Sequence, residues 1–237
     1  MAEAPLRLTR STLGSQVLDG ILALIADRGL RTGDTLPAEG QLALDFGVSR
    51  PIVREAMRAL AERGVVRIIN GRGAVLAPLD NRPLSAWFER AVNDDTSSVT
   101  ELMWIRRGIE VQAARLAAGR VTETQLQALG QTAARMRAAL DDSDAYVDLD
   151  TEFHLQLAAA TGNSLIVHLM EAIRDLLRES VRQGFASRHD PEHIERAHAR
   201  HEELVGDLRR RDAGAAVATM EAHFDDAIAS LSSSGHQ

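Results

Sequence analysis

The stretch YVDLDTEFHLQLAAATGN, residues 146–163, places a carboxylate and an imidazole beside an apolar stripe. Asp150 and His154 are four residues apart, a spacing at which two side chains share one face of an α-helix. Two further histidines, His201 and His223, fall on the apolar faces of two later helical patterns. Three imidazoles and one carboxylate would therefore meet if these helices pack around one bundle core.

Such a set of side chains suits a divalent metal ion. Burying four polar groups without partners costs on the order of several kcal/mol, which coordination can offset. Three His and one Asp suit Zn²⁺, Ni²⁺, Mn²⁺ or Fe²⁺, with Zn²⁺ the first choice, and do not suit Ca²⁺. Spacing alone leaves open a solvated flank or ordinary core hydrogen bonds. It also leaves His198, one turn from His201, as a competing ligand.

The elements that must position these residues are all helical. Apolar residues recur at helical spacing in seven successive segments, over about 84–92, 99–119, 122–140, 143–161, 163–186, 191–210 and 213–231. Thr122 followed by Gln125 is typical of a capping box at a helix start. Because no strand pattern competes, residues 99–232 are predicted to form an all-α domain, preceded by a linker and connecting helix over 78–98.

The region before residue 78 has a different, mixed pattern. Helices are predicted from Thr12 to about Arg28, after Pro37, and from an N-cap at Ser49. The β-branched and apolar runs VVRII and AVLAP follow, and the Asn-Gly between them is a strong hairpin signal. Helix, turn, helix and two-stranded wing predict a winged helix-turn-helix DNA-binding domain over 8–77. The predicted fold class is mainly α.

The third helix of this region carries residues that suit DNA. Its first turns present Ser49, Arg50 and Arg54, and a recognition helix offers its N-terminal residues to major-groove base edges. The fork of an arginine can bond guanine O6 and N7 together, and a serine can donate to a phosphate. Arg72, at the predicted wing tip, can reach the backbone or the minor groove. A protein-docking module with a basic surface is the alternative interpretation.

Composition sets limits on the function. The formal net charge is −7, yet residues 1–80 hold ten Arg against nine acids, while residues 81–237 hold seventeen against twenty-five. All 27 basic residues are arginine, which excludes lysine chemistry such as a Schiff base or a Walker-type loop. Cysteine is absent, which excludes disulfides and thiolate ligands. Without an apolar run of spanning length or a signal-peptide core, we expect a cytoplasmic protein with no membrane partner.

The run GDTLPAEGQLALDFGVSRPIVREAMRALAERGVVRIINGRGAVL resembles the DNA-binding domain of the GntR family of bacterial transcription regulators. The matching motifs over residues 12–77 are LPAE, GVSR, VREA, L..RG and GRG. The family commonly has an arginine immediately after LP.E, where this chain has Gly40. One phosphate or base contact is therefore missing, or another residue supplies it. The DNA-contacting residues that the resemblance and the pattern together predict are Ser49, Arg50, Pro51, Arg54, Gly71 and Arg72.

The later segments WIRRGIEVQAARLAA, DTEFHLQLAAATGNSLI and RHEELVGDLRRRDAGAAVATMEAHF resemble the effector domain of the FadR-like branch of that family, called FCD, over about 99–228. Many members of that branch bind a divalent metal through an Asp-x3-His pair and two later histidines. The resemblance assigns this role to Asp150, His154, His201 and His223. Arg106 matches an arginine that often faces the same cavity, where it would pair with an effector carboxylate. A solvent-facing arginine is the alternative.

The resemblance further implies a homodimer on a near-palindromic double-stranded operator and a small organic or sugar acid as effector. We therefore predict a ligand-responsive transcription regulator, a repressor, and no enzyme. The alternative is a metal-dependent, hydrolase-like enzyme with an appended DNA-binding domain. The segment 201–205, HEELV, resembles His-Glu-x-x-His but ends in valine, and no nucleophile–base arrangement is visible. A nucleoid-type DNA binder would not need a polar set of residues inside an acidic bundle.

Overall fold

The computed structural model describes residues 12–93, 98–187 and 191–234. Two compact units make up the chain, with the boundary after Asp80. The mainly α fold class is confirmed, with a winged helix-turn-helix in the first unit and helices alone in the described part of the second. Residue 8, where the predicted DNA-binding domain begins, lies outside the described residues.

Three helices and a hairpin form the first unit. They are α1 (Leu13–Asp27), α2 (Glu39–Phe46), α3 (Arg50–Glu62), β1 (Val66–Ile69) and β2 (Gly73–Leu76). The strands pair antiparallel with Ile69 opposite Gly73. The N–H of Arg72 donates to the carbonyl oxygen of Ile69 at 3.1 Å, and Gly71 turns the chain with a φ of 78° that side chains disfavour. The hairpin predicted from Asn-Gly is thus confirmed.

The core of the first unit fixes which face of α3 is free. Val53 and Leu60 of α3 are fully buried in one cluster with Ile21 of α1 and Leu42 of α2. Gly47 ends α2 in the left-handed conformation, which turns the chain sharply into α3. Because the apolar stripe of α3 points inward, its arginines lie on the opposite, exposed face.

Eight helices form the described part of the second unit. They are α4 (Arg82–Asn93), α5 (Ser98–Arg120), α6 (Glu123–Ala138), α7 (Ser143–Ala160), α8 (Ser164–Ala172), α9 (Arg174–Ser187), α10 (Pro191–Arg210) and α11 (Ala213–Ser234). The capping box of Thr122 and Gln125 is present at the start of α6. The prediction of one helix over 163–186 is wrong in one respect. The segment forms two helices, α8 and α9, because the backbone leaves the helical conformation at Ile173, where ψ is 11°.

The bundle core is built around α5, which lies against α7, α10 and α11. Its buried side is lined by small residues, among them Ala114 and Ala117, which let the larger Phe153 and Phe224 of neighbouring helices approach closely. Helix α4 packs against α5, α8 and α9 within the same unit. In the residues that the structure describes, no helix combines the length and apolar character needed to cross a bilayer.

A buried carboxylate joins the last two helices. Asp207 of α10 is 2% exposed and accepts hydrogen bonds from Thr219 Oγ1 of α11 at 2.7 Å and from Arg210. Asp207→Ala leaves the Thr219 hydroxyl buried without its acceptor, so we expect the free energy of unfolding to fall by about 1–3 kcal/mol. Urea unfolding followed by circular dichroism measures this loss. Asp141→Ala, at an exposed loop position, should change it by less than about 0.5 kcal/mol, and an equal loss in both variants would contradict the prediction.

Candidate functional site

Three helices bring their imidazoles together inside the second unit. His154 of α7, His201 of α10 and His223 of α11 each offer a ring nitrogen, and these atoms lie within 4.8 Å of one another. Asp150 Oδ1 is 3.2 Å from Nε2 of His201, and its Oδ2 is 3.5 Å from Nε2 of His154. The structure therefore gathers all four predicted ligands, called the four-residue cluster below.

Contacts on the outer side of two rings orient the cluster. Nδ1 of His201 lies 3.1 Å from the carbonyl oxygen of Ala197, which can only accept, so Nδ1 carries the proton. Nδ1 of His154 is in direct contact with Oε2 of the Glu110 carboxylate. When both rings are neutral, their Nε2 lone pairs face inward, 3.4 Å apart and beside the Asp150 carboxylate. Lone pairs that face each other repel, and a cation among them removes that repulsion, so the donor set fits a metal ion.

Charges and burial set the protonation states of the cluster. Burial raises the pKa of the Asp150 carboxyl, but His154 and His201 outweigh it and hold this pKa well below its usual range. Burial, and then the charges of His201 and His154, lower the pKa of His223 well below the ordinary value. Near neutral pH the cluster thus offers a carboxylate and a neutral imidazole, the forms that bind metals.

His223 lies at the rim of the cluster. The residue keeps partial exposure, whereas its Nδ1 is buried and has no hydrogen-bond partner in the part of the chain that the structure describes. A buried polar nitrogen without a partner is uncommon in native proteins and calls for an explanation. A metal ion bound by the three imidazoles supplies one.

Glu110 of α5 is a functional candidate that the sequence reasoning missed. It is 1% exposed, and one carboxylate oxygen accepts a hydrogen bond from Nε of Arg106 at 3.0 Å while the other contacts His154. Burial raises the pKa of Glu110, but the charges of His154 and Arg106 bring it below the ordinary value. The available signal was the four-residue spacing of Arg106 and Glu110, which puts acid and base on one helix face.

Arg106 is buried at 2% exposure, so it does not face solvent. Its Nη1 donates to Ser180 Oγ at 3.0 Å, and its guanidinium carbon lies 5.2 Å from the centre of the Phe224 ring. Together with three members of the four-residue cluster it lines a cavity of ≈ 30 Å³. That volume holds about one or two water molecules, so a bound acid requires the cavity to widen.

His198, the competing ligand, is buried but lies outside the cluster. Its Nε2 is 3.4 Å from Oε1 of Glu202, which accepts two hydrogen bonds from Arg137 at 2.7 Å. Burial, followed by the charge of His201, lowers the pKa of His198. The geometry therefore favours His201 over His198 as the ligand from α10.

In the first unit, the predicted DNA-contacting residues are exposed at the start of α3 and at the wing tip. All six are solvent-accessible: Ser49, Arg50, Pro51, Arg54, Gly71 and Arg72. Ser49 is the N-cap of α3, yet its side chain makes no capping hydrogen bond. Arg54 pairs with Glu39 at the start of α2, at 3.0 Å. The carboxylate thus holds the guanidinium of Arg54 beside the first turn of α2.

Gly40 lies directly beside Arg50. A Cβ at residue 40 would be 3.1 Å from Nη2 and 3.3 Å from Cζ of Arg50. The guanidinium therefore already fills the space next to this glycine, and a side chain at residue 40 would push it aside. The sequence shows that Gly40 stands where the GntR family commonly has an arginine, but only the structure relates this glycine to Arg50.

Comparisons with known proteins cover both units. The model of the family "Bacterial regulatory proteins, gntR family" matches residues 13–76, and the FCD domain model matches residues 101–226. The HTH-type transcriptional regulator LutR of Bacillus subtilis is 30% identical over 85% of this chain and 93% of its own length. The HTH-type transcriptional repressor NanR of Edwardsiella tarda is 29% identical over 94% of this chain and 86% of its own length. The solved structure of Streptococcus agalactiae GntR aligns with a TM-score of 0.71 and 28% identity, over 92% of this chain and 100% of that one.

Proposed function

Because the chain belongs to the GntR family, with an FCD domain after its winged helix-turn-helix, and is therefore a DNA-binding transcription regulator and not an enzyme, we propose that it is a ligand-responsive repressor. In this proposal a cytoplasmic homodimer binds a near-palindromic operator. A divalent metal and a small organic or sugar acid, held in the FCD domain, weaken that binding. The observation that carries the proposal is the buried four-residue cluster, in which three ring nitrogens lie within 4.8 Å of one another beside the Asp150 carboxylate.

The metal would be held by Asp150, His154, His201 and His223, with Zn²⁺ the first choice for this donor set. When bound, it would supply a Lewis-acidic centre for an acid carboxylate. Glu110 keeps the Nδ1 proton of His154 on the outer side of the ring, so that Nε2 faces the cluster.

The acid would be recognised by Arg106. A guanidinium can bind a carboxylate through two parallel hydrogen bonds, and Ser180 adds a hydroxyl next to it. Since Arg106 is already bonded to Glu110, an incoming carboxylate competes with that residue and must widen the cavity. Helices α5 and α9, which carry Arg106 and Ser180, would therefore shift when the acid binds. The shift in operator affinity is limited by how differently the acid binds the two states.

Operator DNA would be bound by the first turns of α3 and by the wing. Ser49, free of a capping bond, would donate to a phosphate, and Arg50 and Arg54 would reach base edges. Arg50, which covers Gly40, would supply the contact that the family's usual arginine makes. Arg72 would bind the backbone or the minor groove from the wing tip.

An operator selected from random duplex DNA allows a direct test. Fluorescence anisotropy of this duplex with Zn²⁺-loaded protein, over a panel of small carboxylic and sugar acids, should find an acid that weakens binding at least about tenfold. Arg106→Lys keeps the charge but loses the bidentate fork, so it should bind the operator normally and need about tenfold more acid for release. Arg107→Lys is the matched control, because Arg107 pairs with Asp225 instead of lining the cavity. If Arg106→Lys released the operator at the same acid concentration as the native protein and Arg107→Lys, the assignment of Arg106 to the acid would be wrong.

A further inference from the structure

One side of α5 is left uncovered within the described part of the second unit. At about 100° per residue, seven exposed positions fall within a sector of about 100°. They are Glu101, Trp104, Ile105, Gly108, Gln112, Arg115 and Gly119. Trp104 and Ile105 are 54% and 47% exposed, while α4, α7, α10 and α11 lie against the remainder of the helix. Large apolar side chains exposed side by side mark a contact surface.

The charges on this face are symmetric about Gly108. Glu101 precedes it by seven residues and Arg115 follows it by seven. Both side chains are exposed, and neither forms an ion pair within residues 12–93, 98–187 and 191–234. If two copies of α5 cross antiparallel at Gly108, Glu101 of each lies opposite the partner's Arg115. The face is therefore complementary in charge to a second copy of itself.

The apolar residues obey the same symmetry. In that arrangement Trp104 lies opposite the partner's Gln112. Ile105 lies at the level of the partner's Val111, a half-buried residue at the edge of the face that also packs against the bundle core. An indole packs well against such a helix surface, because it buries a large area while its N–H can reach a polar neighbour such as the glutamine amide. Each of these contacts occurs twice, as in any interface around a two-fold axis.

Gly108 is suited to the crossing point. A Cβ there would meet nothing within 4 Å, so the space beside it is open, and the missing side chain lets a second helix approach to about 8 Å. Glu101 and Arg115 lie about 10 Å along the axis from the crossing. At that level the two helix axes are offset sideways by about 4 Å at a crossing angle of about 20° and by about 9 Å at about 50°. Only the nearly aligned crossing brings both ion pairs together.

We propose that this face of α5 is a self-complementary dimerisation surface, on which two copies cross antiparallel at Gly108. Trp104 and Ile105 form its apolar centre, and the Glu101–Arg115 pairs close its two ends. The proposal rests on the homodimer of the proposed function and identifies the surface that builds it.

Charge reversal in the full-length protein tests this surface, with dimerisation measured by analytical ultracentrifugation. Glu101→Arg places two arginines on the face and Arg115→Glu places two glutamates, so each variant alone replaces attraction with repulsion. The dissociation constant of each variant dimer should rise about tenfold or more. The double variant restores both pairs and should return to within about threefold of the native value. An equimolar mixture of the two single variants should form heterodimers.

Two controls make the result specific. Asp141→Arg has the same charge change as Glu101→Arg at an exposed position away from α5, and its dimer should match the native one. Gly108→Leu fills the crossing point and should weaken the dimer about tenfold or more while the helical circular dichroism stays native. Single reversals that dimerise like the native protein, or a double variant no better than the singles, would overturn the proposed surface.

Operator binding and acid response, measured on the same samples, separate this inference from the proposed function. If the native dimer responds to acid and the charge-reversal variants dimerise as tightly as the native protein, only the α5 surface is overturned. Rescue by the double variant in a protein with no acid response supports the surface and overturns the proposed effector function. A native protein that stays monomeric at all concentrations overturns the surface and the homodimer together.

Discussion

Purified His201→Ala protein is expected to contain no stoichiometric divalent metal, and its affinity for added Zn²⁺ should be more than about 100-fold below that of the native protein. The variant removes the imidazole whose Nε2 lies 3.4 Å from that of His154 and 3.2 Å from Asp150. Two imidazoles and a carboxylate then remain, and the loss of one ligand leaves a weaker, more open site. Elemental analysis of the purified protein and calorimetric titration of the metal-free protein measure both effects.

His198→Ala is the matched control for this experiment. His198 lies one turn earlier on the same helix and is equally buried, but it is outside the four-residue cluster. Its replacement should leave the metal content at the native level even if it lowers the melting temperature. Native metal content in His201→Ala, or equal loss in both variants, would contradict the assignment of the ligand from α10.

Glu110→Gln extends the same comparison to the residue behind His154. Glutamine keeps the size of the side chain but removes the carboxylate that holds the proton on Nδ1. Partners of this kind affect metal affinity by about 10–100-fold, so the variant should fall between the native protein and His201→Ala. It should also keep its bound metal at saturating concentration, which distinguishes an orienting residue from a ligand.

The metal should raise thermal stability in the native protein and not in His201→Ala. A ligand that binds only the folded state stabilises it by about 2.7 kcal/mol at 100 times its dissociation constant. The difference in melting temperature between metal-loaded and metal-free samples therefore gives a second readout, independent of DNA. A shift of the same size in both proteins would mean that the metal binds elsewhere.

Much of this fold was readable from the sequence, because each amphipathic segment carries its own period and its own end signals. Thr122 with Gln125 marks a helix start, and Asn-Gly between β-branched runs marks the wing. The break at Ile173 has no such signal, since neither glycine nor proline stands there. Its backbone deviates inside a tightly packed core, where tertiary contacts outweigh local preference.

The candidate site was predictable to the extent that its residues lie on apolar stripes. His201 and His223 occupy inward positions of strongly patterned helices, and Asp150 with His154 share one face. Glu110 was not found because α5 is buried on several sides, so its pattern does not tell an inward acid from an outward one. The contact between Arg50 and Gly40 joins two helices, and one-dimensional spacing carries no information about such a contact.

Arg50→Ala is expected to lower affinity for the selected operator about 10–100-fold, equivalent to about 1–3 kcal/mol. Arg50 stands at the first position of α3, the end that a recognition helix directs into the major groove. Arg63→Ala is the matched control, because Arg63 is also exposed but caps the other end of the same helix, about 20 Å away. Both variants remove one positive charge from the first unit, so a general electrostatic effect would weaken both equally. Fluorescence anisotropy at fixed ionic strength should find the control within about threefold of the native protein.

The kind of contact that Arg50 makes follows from the salt dependence. If its guanidinium binds a phosphate, Arg50→Ala weakens all DNA sequences alike, and the slope of log K against log salt becomes shallower by about one. If it reads a guanine, the loss is confined to one operator position and the slope changes little. Gly40→Ala probes the same guanidinium from the other side, since the added Cβ would meet it at 3.1 Å and must displace it. Reduced operator affinity in Gly40→Ala, without loss of stability, would show that the glycine leaves Arg50 the space it needs to contact DNA. Native affinity in both Gly40→Ala and Arg50→Ala would show that Arg50 does not contact the operator.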